Sequence, residues 1–333
     1  MAGGIKSTAV GITSTVPIEI VYAAGRSAVD LNNAFISHED GNLLVDRAER
    51  SGFPETSCAW IKGIYSAVQA GKIGTVVAVV QGDCSNTHAL MEILEMEDIE
   101  TIPFMYPYDR DRDMMRLQIA KFADALGADS VSIGETKARL DSIRARVAEI
   151  DRLTWEENLV SGFENHYYQI SCSDMEGDPD AFESKVDQFL EAARRRQPRD
   201  CDLRLAYIGI PPIISGIYAF VEANGGAVVF NELQRQFSFP VHHADMVDQY
   251  VDYTYPYHIK HRLADISEQV RKRKVSGIIH YVQSFCFRRI EDIIIRKELD
   301  LPVLTLEANR PGKLDLRTKM RLEAFLDMLR YLR

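Results

Sequence analysis

The chain has 333 residues, 46% hydrophobic and 26% charged, which suits two domains with real cores and an ordinary solvated surface. Its formal net charge of −10 argues against sequence-independent binding to nucleic acid or to anionic membrane, both of which need basic patches. No apolar run approaches the ~20 residues of a membrane span, and the start MAGGIKSTAVGI is too short for a signal peptide. Five cysteines, an odd number, do not resemble a secreted disulfide framework, so a reducing cytoplasm is the natural setting.

In chain order, TAVGI reads as a strand. It is followed by a helix from Pro17 to Ala24, with proline at its start and Gly25 at its end. AVDLNN reads as a second strand. CAWIKGIYSAVQAG reads as a helix with Cys58 just inside its start and Glu55 in its first turn. TVVAVVQGDC is a strand that ends beside Cys84, and IETIPF is the next. From about residue 111 come long amphipathic stretches with apolar residues at helical spacing. Then the opening pattern returns: RLAYIGI, Pro211-Pro212, IISGIYAFVEANGG, AVVFNE, SGIIHYVQSFC and LPVLTL. Pro311-Gly312 breaks the chain before a terminal helix. The basic runs Arg194-Arg195-Arg196 and Arg271-Lys272-Arg273-Lys274 close helix-like stretches, where cations are favoured.

This pattern predicts two α/β domains with parallel sheets, 1–125 and 201–333, joined by a helical insert over 126–200. Both halves carry Val-Gln-x-x-Cys, as Val80 to Cys84 and as Val282 to Cys286. Each copy closes an apolar run of strand length, which puts a thiol beyond the carboxyl end of a strand, where open α/β sheets bind ligands. Cys58, at a helix start, is the third candidate, because a helix N-terminus stabilises thiolate or an anionic cluster. Cys172 and Cys201 have neither context and read as incidental. Zinc would need local ligand spacing that is missing here; three dispersed cysteines suit a cubane iron–sulfur cluster with one open iron, although spacing alone does not establish it.

Around these cysteines, Ser57, Asp83 and Ser85 read as caps or turn residues or as donors to sulfide. Glu55 and Glu307 are candidate proton-transfer groups. His88 lies one helical turn past Cys84. His242-His243 reads as a surface loop, and Tyr250, Tyr253, Tyr255 and Tyr257 as packing or interface.

Taken in order, Pro17-x-Glu19 with Tyr22-Ala23-Ala24-Gly25, Cys58, Cys84, Phe285-Cys286, Leu301-Pro302-Val303-Leu304 with Glu307, and Arg317-Thr318 with Glu323-Ala324-Phe325 form a pattern. The chain resembles the 2-hydroxyacyl-CoA dehydratase and benzoyl-CoA reductase family, including its double-cubane cluster reductases. The resemblance implies two flavodoxin-like domains with helical additions and a 4Fe–4S cluster in the cleft between them, held by Cys58, Cys84 and Cys286. A double-cubane 8Fe–9S cluster shared across a dimer is the alternative. It further implies a homodimer or a heterodimer with a related subunit, and electrons delivered by a separate ATP-hydrolysing iron–sulfur activator. The chain itself carries no G-x-x-x-x-G-K-[ST] phosphate loop. Three functions follow as expectations: an iron–sulfur component passing low-potential electrons to a small substrate, a dehydratase subunit that expels water from an acyl-CoA through a ketyl radical, and a non-catalytic iron–sulfur scaffold.

Overall fold

A computed structural model describes residues 8–332. Residues 1–7, the start read above as too short for a signal peptide, lie outside the described residues, as does Arg333. The chain divides into two compact units. The first comprises the chain up to Arg144, Ser171–Phe182 and Val241–Tyr257; the second comprises Ala145–Ile170, Glu183–Pro240 and the chain from His258. The helical stretch 126–200 is therefore shared between the units.

The first unit contains β1 (Ala9–Ile12), α1 (Ile18–Ala23), β2 (Ser27–Asp30), α2 (Leu31–Ile36), α3 (Gly41–Arg50), α4 (Ala59–Gly71), β3 (Thr75–Gln81), α5 (Asn86–Met96), β4 (Glu100–Met105) and α6 (Arg112–Leu126). The long α7 (Ser130–Trp155), α8 (Gly162–Ser171) and α9 (Pro179–Ala193) follow. The chain continues through β5 (Leu203–Gly209), β6 (Ile214–Ser215), α10 (Ile217–Ala223), β7 (Gly226–Asn231), α11 (Glu232–Phe237) and α12 (Met246–Asp252), of which α12 lies in the first unit. The last elements are α13 (Ile259–Lys272), β8 (Gly277–Gln283), α14 (Asp292–Glu298), β9 (Val303–Ala308), β10 (Gly312–Lys313) and α15 (Leu316–Tyr331).

Each unit is built on a four-stranded parallel sheet, in the order β2-β1-β3-β4 in the first and β7-β5-β8-β9 in the second. Replacing β1, β2, β3 and β4 by β5, β7, β8 and β9 turns one order into the other, so the repeat read from the sequence is a repeat of topology. The inner strands are apolar on both faces because helices cover both, and every residue of β8 is buried. On β4 burial alternates, and Pro103 is tolerated there because β4 is an edge strand whose outer side needs no ladder donor. The two α/β sheets expected from the sequence are thus present.

Helix ends follow local chemistry. Asp111 caps α6 by accepting from the Met114 amide at 2.8 Å, and Gly127 ends it at φ +70°. Two local readings change. The segment AVDLNN is a strand only to Asp30, whose carboxylate accepts from the Asn32 amide at 2.9 Å and starts α2 at Leu31. In the second half the prolines do not open the helix directly. The two-residue β6 and Gly216 at φ +99° intervene before α10, whereas Pro17 caps α1 immediately.

Candidate functional site

In the first unit the strand order reverses between β1 and β3, and the crevice beyond their carboxyl ends is where such sheets bind ligands. β3 ends at Gln81. Gly82 then adopts φ +99°, and a Cβ there would come within 2.8 Å of both the Pro256 and the Tyr106 Cβ, so only glycine makes this turn without displacing its neighbours. The turn delivers Asp83 and Cys84, both half-buried, immediately ahead of α5. The Cys84 carbonyl accepts from the Thr87 amide at 3.0 Å, and the Asp83 carboxylate accepts from the Tyr255 hydroxyl at 3.2 Å.

Cys58 is the N-cap residue of α4, one position outside the helix rather than inside it. Glu55 therefore lies in the preceding turn and not in the helix's first turn. Its side chain is exposed, and its carbonyl receives the Lys62 ammonium at 3.1 Å. Lys62, one turn beyond Cys58, is almost wholly buried and pairs with Glu49 at 2.7 Å. Cys58 is buried in an apolar cluster with Ile61, Leu90 and Leu94, and Cys84 packs against the same cluster. Both thiols thus belong to one corner of the first unit.

In the second unit the equivalent switch point lies between β5 and β8. β8 ends at Gln283, and Cys286 follows three residues later, the same offset that separates Cys84 from Gln81. Here the left-handed residue is Phe285, at φ +65° and 56% exposed. Cys286, half-buried, caps a single 3₁₀ turn over Phe287–Arg289. Glu307, at the end of β9, anchors this turn. Its carboxylate accepts from the Ser284 hydroxyl at 2.8 Å and pairs with the Arg289 guanidinium at 3.0 Å. Gln283 donates to the Asn309 carbonyl at 2.8 Å.

None of the five cysteines forms a disulfide. Among the described residues, no group of three or more His, Cys, Asp or Glu side chains is set to hold a single metal ion. Cys172 is buried in the first unit, and burial pushes its thiol up to about 12, against the pull of Arg144. Cys201 accepts from the Asn158 amide at 3.7 Å. His88 is exposed on α5. His242 and His243 lie in a loop, where His243 contacts Asp252 at 3.2 Å and its carbonyl accepts from Lys137.

A family model for the 2-hydroxyglutaryl-CoA dehydratase D-component matches residues 13–329. The chain belongs to that family. No curated protein matches it. Among the described residues of this D-component family member, no helix is long and apolar enough to cross a membrane.

Several residues of the first unit escaped the reading of the sequence. Glu19, noted there only as a landmark, is fully buried, which raises its pKa, and the Arg144 guanidinium 2.6 Å away outweighs that and holds the carboxyl below its usual range. Tyr250 donates to the other Glu19 oxygen at 2.8 Å, and Gln249 donates to the first at 2.9 Å. Asp174 meets the Asp30 amide at 2.8 Å, and burial together with the Asp30 carboxylate pushes Asp174 up to about 7. These partners lie 125 to 231 positions apart in the chain, a separation at which periodicity carries no signal.

Proposed function

We propose that the chain is the iron–sulfur component of a cytoplasmic, ATP-dependent, low-potential reductase or dehydratase system. It takes electrons from a separate ATP-hydrolysing iron–sulfur activator, works as a homodimer or with a related subunit, and passes the electrons to a small substrate. One observation supports this above the rest. Two topologically equivalent inner strands each present a cysteine three residues past their carboxyl ends, in a chain matched along residues 13–329 to a dehydratase component family.

The donor set fits a cluster better than a single ion. A cubane takes one thiolate per iron and so does not require four donors converging on one point. Cys58, Cys84 and Cys286 would hold a 4Fe–4S cluster, or half of a double-cubane 8Fe–9S cluster. When bound, such a cluster supplies single electrons at low potential and an iron open to a substrate oxygen.

The chain's own residues prepare the place. Cys58 sits at the positive end of the α4 dipole, which favours anionic sulfur. The apolar cluster beneath Cys58 and Cys84 limits access by water and lowers the local dielectric, which favours a low potential. Glu307, held by Ser284 and Arg289 at the Cys286 turn, is the better-anchored candidate for moving a proton. Glu55, exposed in the turn before Cys58, is the second.

The family description favours a second reading, in which the chain is a subunit that eliminates water from a 2-hydroxyacyl-CoA. Binding of acyl-CoA in the presence of a related subunit separates that reading from the first. The test common to both is anaerobic reconstitution with iron and sulfide analysis, and EPR after reduction, on wild type and Cys84→Ser. About four irons per chain, lost in the variant, is the expected result. A folded wild-type protein that takes up no iron overturns both readings and leaves a scaffold without a cluster.

A further inference from the structure

The segment Val241–Tyr257 is flanked on both sides by residues of the second unit, yet it belongs to the first. There it runs over the carboxyl end of the sheet and bonds to the loops that leave both strands flanking the switch point. On the β1 side, Tyr250 donates to the Val16 carbonyl at 3.0 Å. Tyr106, whose ring meets Tyr257 edge-on at 5.8 Å, donates to the Thr15 carbonyl at 2.8 Å. On the β3 side, Pro256 presses on Gly82 and the Tyr255 hydroxyl reaches Asp83. The strap is fixed independently of that last contact. Arg110 donates to the Val251 carbonyl at 2.9 Å, and Tyr257 donates to the Tyr250 carbonyl at 2.8 Å.

Within the strap, Tyr250, Tyr253 and Tyr257 are buried and Tyr255 is only half-buried. Core filling therefore accounts for the first three. The Tyr255 hydroxyl has a different target: the residue immediately before Cys84, in a turn already held by Pro256 in its left-handed form.

We infer that Tyr255 and Pro256 are positioning residues, which fix the Gly82–Asp83 turn and so set where the Cys84 sulfur stands. For its chemical meaning the inference rests on the proposed role of Cys84 as a cluster ligand. The geometric claim does not depend on that role and can be tested without iron.

The experiment uses the full-length, iron-free protein under reducing, anaerobic conditions. Iodoacetamide alkylation rates at Cys84 and Cys286 are read by peptide mass spectrometry in wild type, Tyr255→Phe and Tyr257→Phe. Cys286, in the other unit, is the internal reference. Tyr257→Phe removes the hydroxyl that donates to the Tyr250 carbonyl within the strap, so it reports general loosening. The expected result is a change of about threefold or more in the Cys84 to Cys286 rate ratio for Tyr255→Phe, and less for Tyr257→Phe, as loss of one hydrogen bond to a charged group implies. In reconstituted protein the EPR g-values of the reduced cluster shift in Tyr255→Phe and stay put in Tyr257→Phe. Equal alkylation ratios in all three proteins, or the same change in both variants, overturn the positioning role. Wild-type protein that takes up no iron overturns the cluster reading instead, and the alkylation ratios still decide the geometric claim.

Discussion

The turns that carry Cys84 and Cys286 begin alike and diverge within two residues. Both leave an inner parallel strand after Val-Gln, and both reach sulfur three residues later. In the first unit the left-handed position is Gly82, closed in by Pro256 and Tyr106. In the second it is Phe285, a bulky residue that rarely adopts this conformation and that stands open to solvent. The anchors differ too, with a tyrosine hydroxyl on Asp83 in one and a carboxylate on Ser284 in the other. Sheet topology therefore sets where the sulfur goes, and each unit secures its turn with whatever residues it has at hand.

The sharpest way to break the comparison is to remove the sulfurs singly. If the two turns serve one cluster, Cys84→Ser and Cys286→Ser each abolish iron retention after anaerobic desalting. Retention in either variant would make the turns unequal partners.

Next in size is a difference in pH response between the units. Asp174, in the first, keeps its proton up to about 7 when folded and releases it near 3.8 when unfolded. The stability this confers is complete below about pH 4 and is lost as pH rises through 7, a few kcal/mol at most. His166, in the second unit, is pushed down to about 4 by burial, so its contribution is present above 6.5 and lost as pH falls toward 4. Urea unfolding between pH 4.5 and 8 should show Asp174→Asn gaining on wild type toward the alkaline end, as the usual range of such titrations allows. A constant difference across that range would count against the buried-proton account.

A smaller contrast tests the turns themselves. Gly82→Ala should cost about 2–4 kcal/mol, from the left-handed backbone together with the collision with Pro256 and Tyr106. Ser284→Ala, at the matching position, should cost about 1 kcal/mol for the lost Glu307 hydrogen bond. Denaturant midpoints measured on both variants decide it. The smallest effect is expected from Phe285→Gly, which relieves a strained φ and should change stability by no more than about 1 kcal/mol, in the stabilising direction.

Much of this architecture was legible because it is local. Apolar runs such as TVVAVVQ and GIIHYVQ identify buried strands, and the shared Val-Gln-x-x-Cys text marks equivalent places in two sheets of the same order. Cys58 was readable as a helix start to within one residue. The route of Val241–Tyr257 was not legible. Its tyrosines at 250, 253, 255 and 257 have the composition of any packed surface, and nothing in their spacing says which unit they pack on. Lys62 was hidden inside an ordinary helical stretch, although its position one turn past Cys58 was a usable hint. Asp174 and Asp30 could not be paired, because a buried carboxylate has no local signature until the chain that buries it is in place.

The late return of the strap also bears on the order of synthesis. The strands of the first unit leave the ribosome early, with β4 complete at Met105, but Gln249, Tyr250, Tyr255 and Pro256 emerge only after much of the second unit has been made. Until then Glu19 lacks two of the donors that meet it in the finished protein, and the Cys84 turn lacks its brace. Domains generally fold as units during translation. Here the first unit waits for residues 241–257, made after much of the second, and the nascent chain carries an incompletely braced Cys84 turn until residue 257 has emerged.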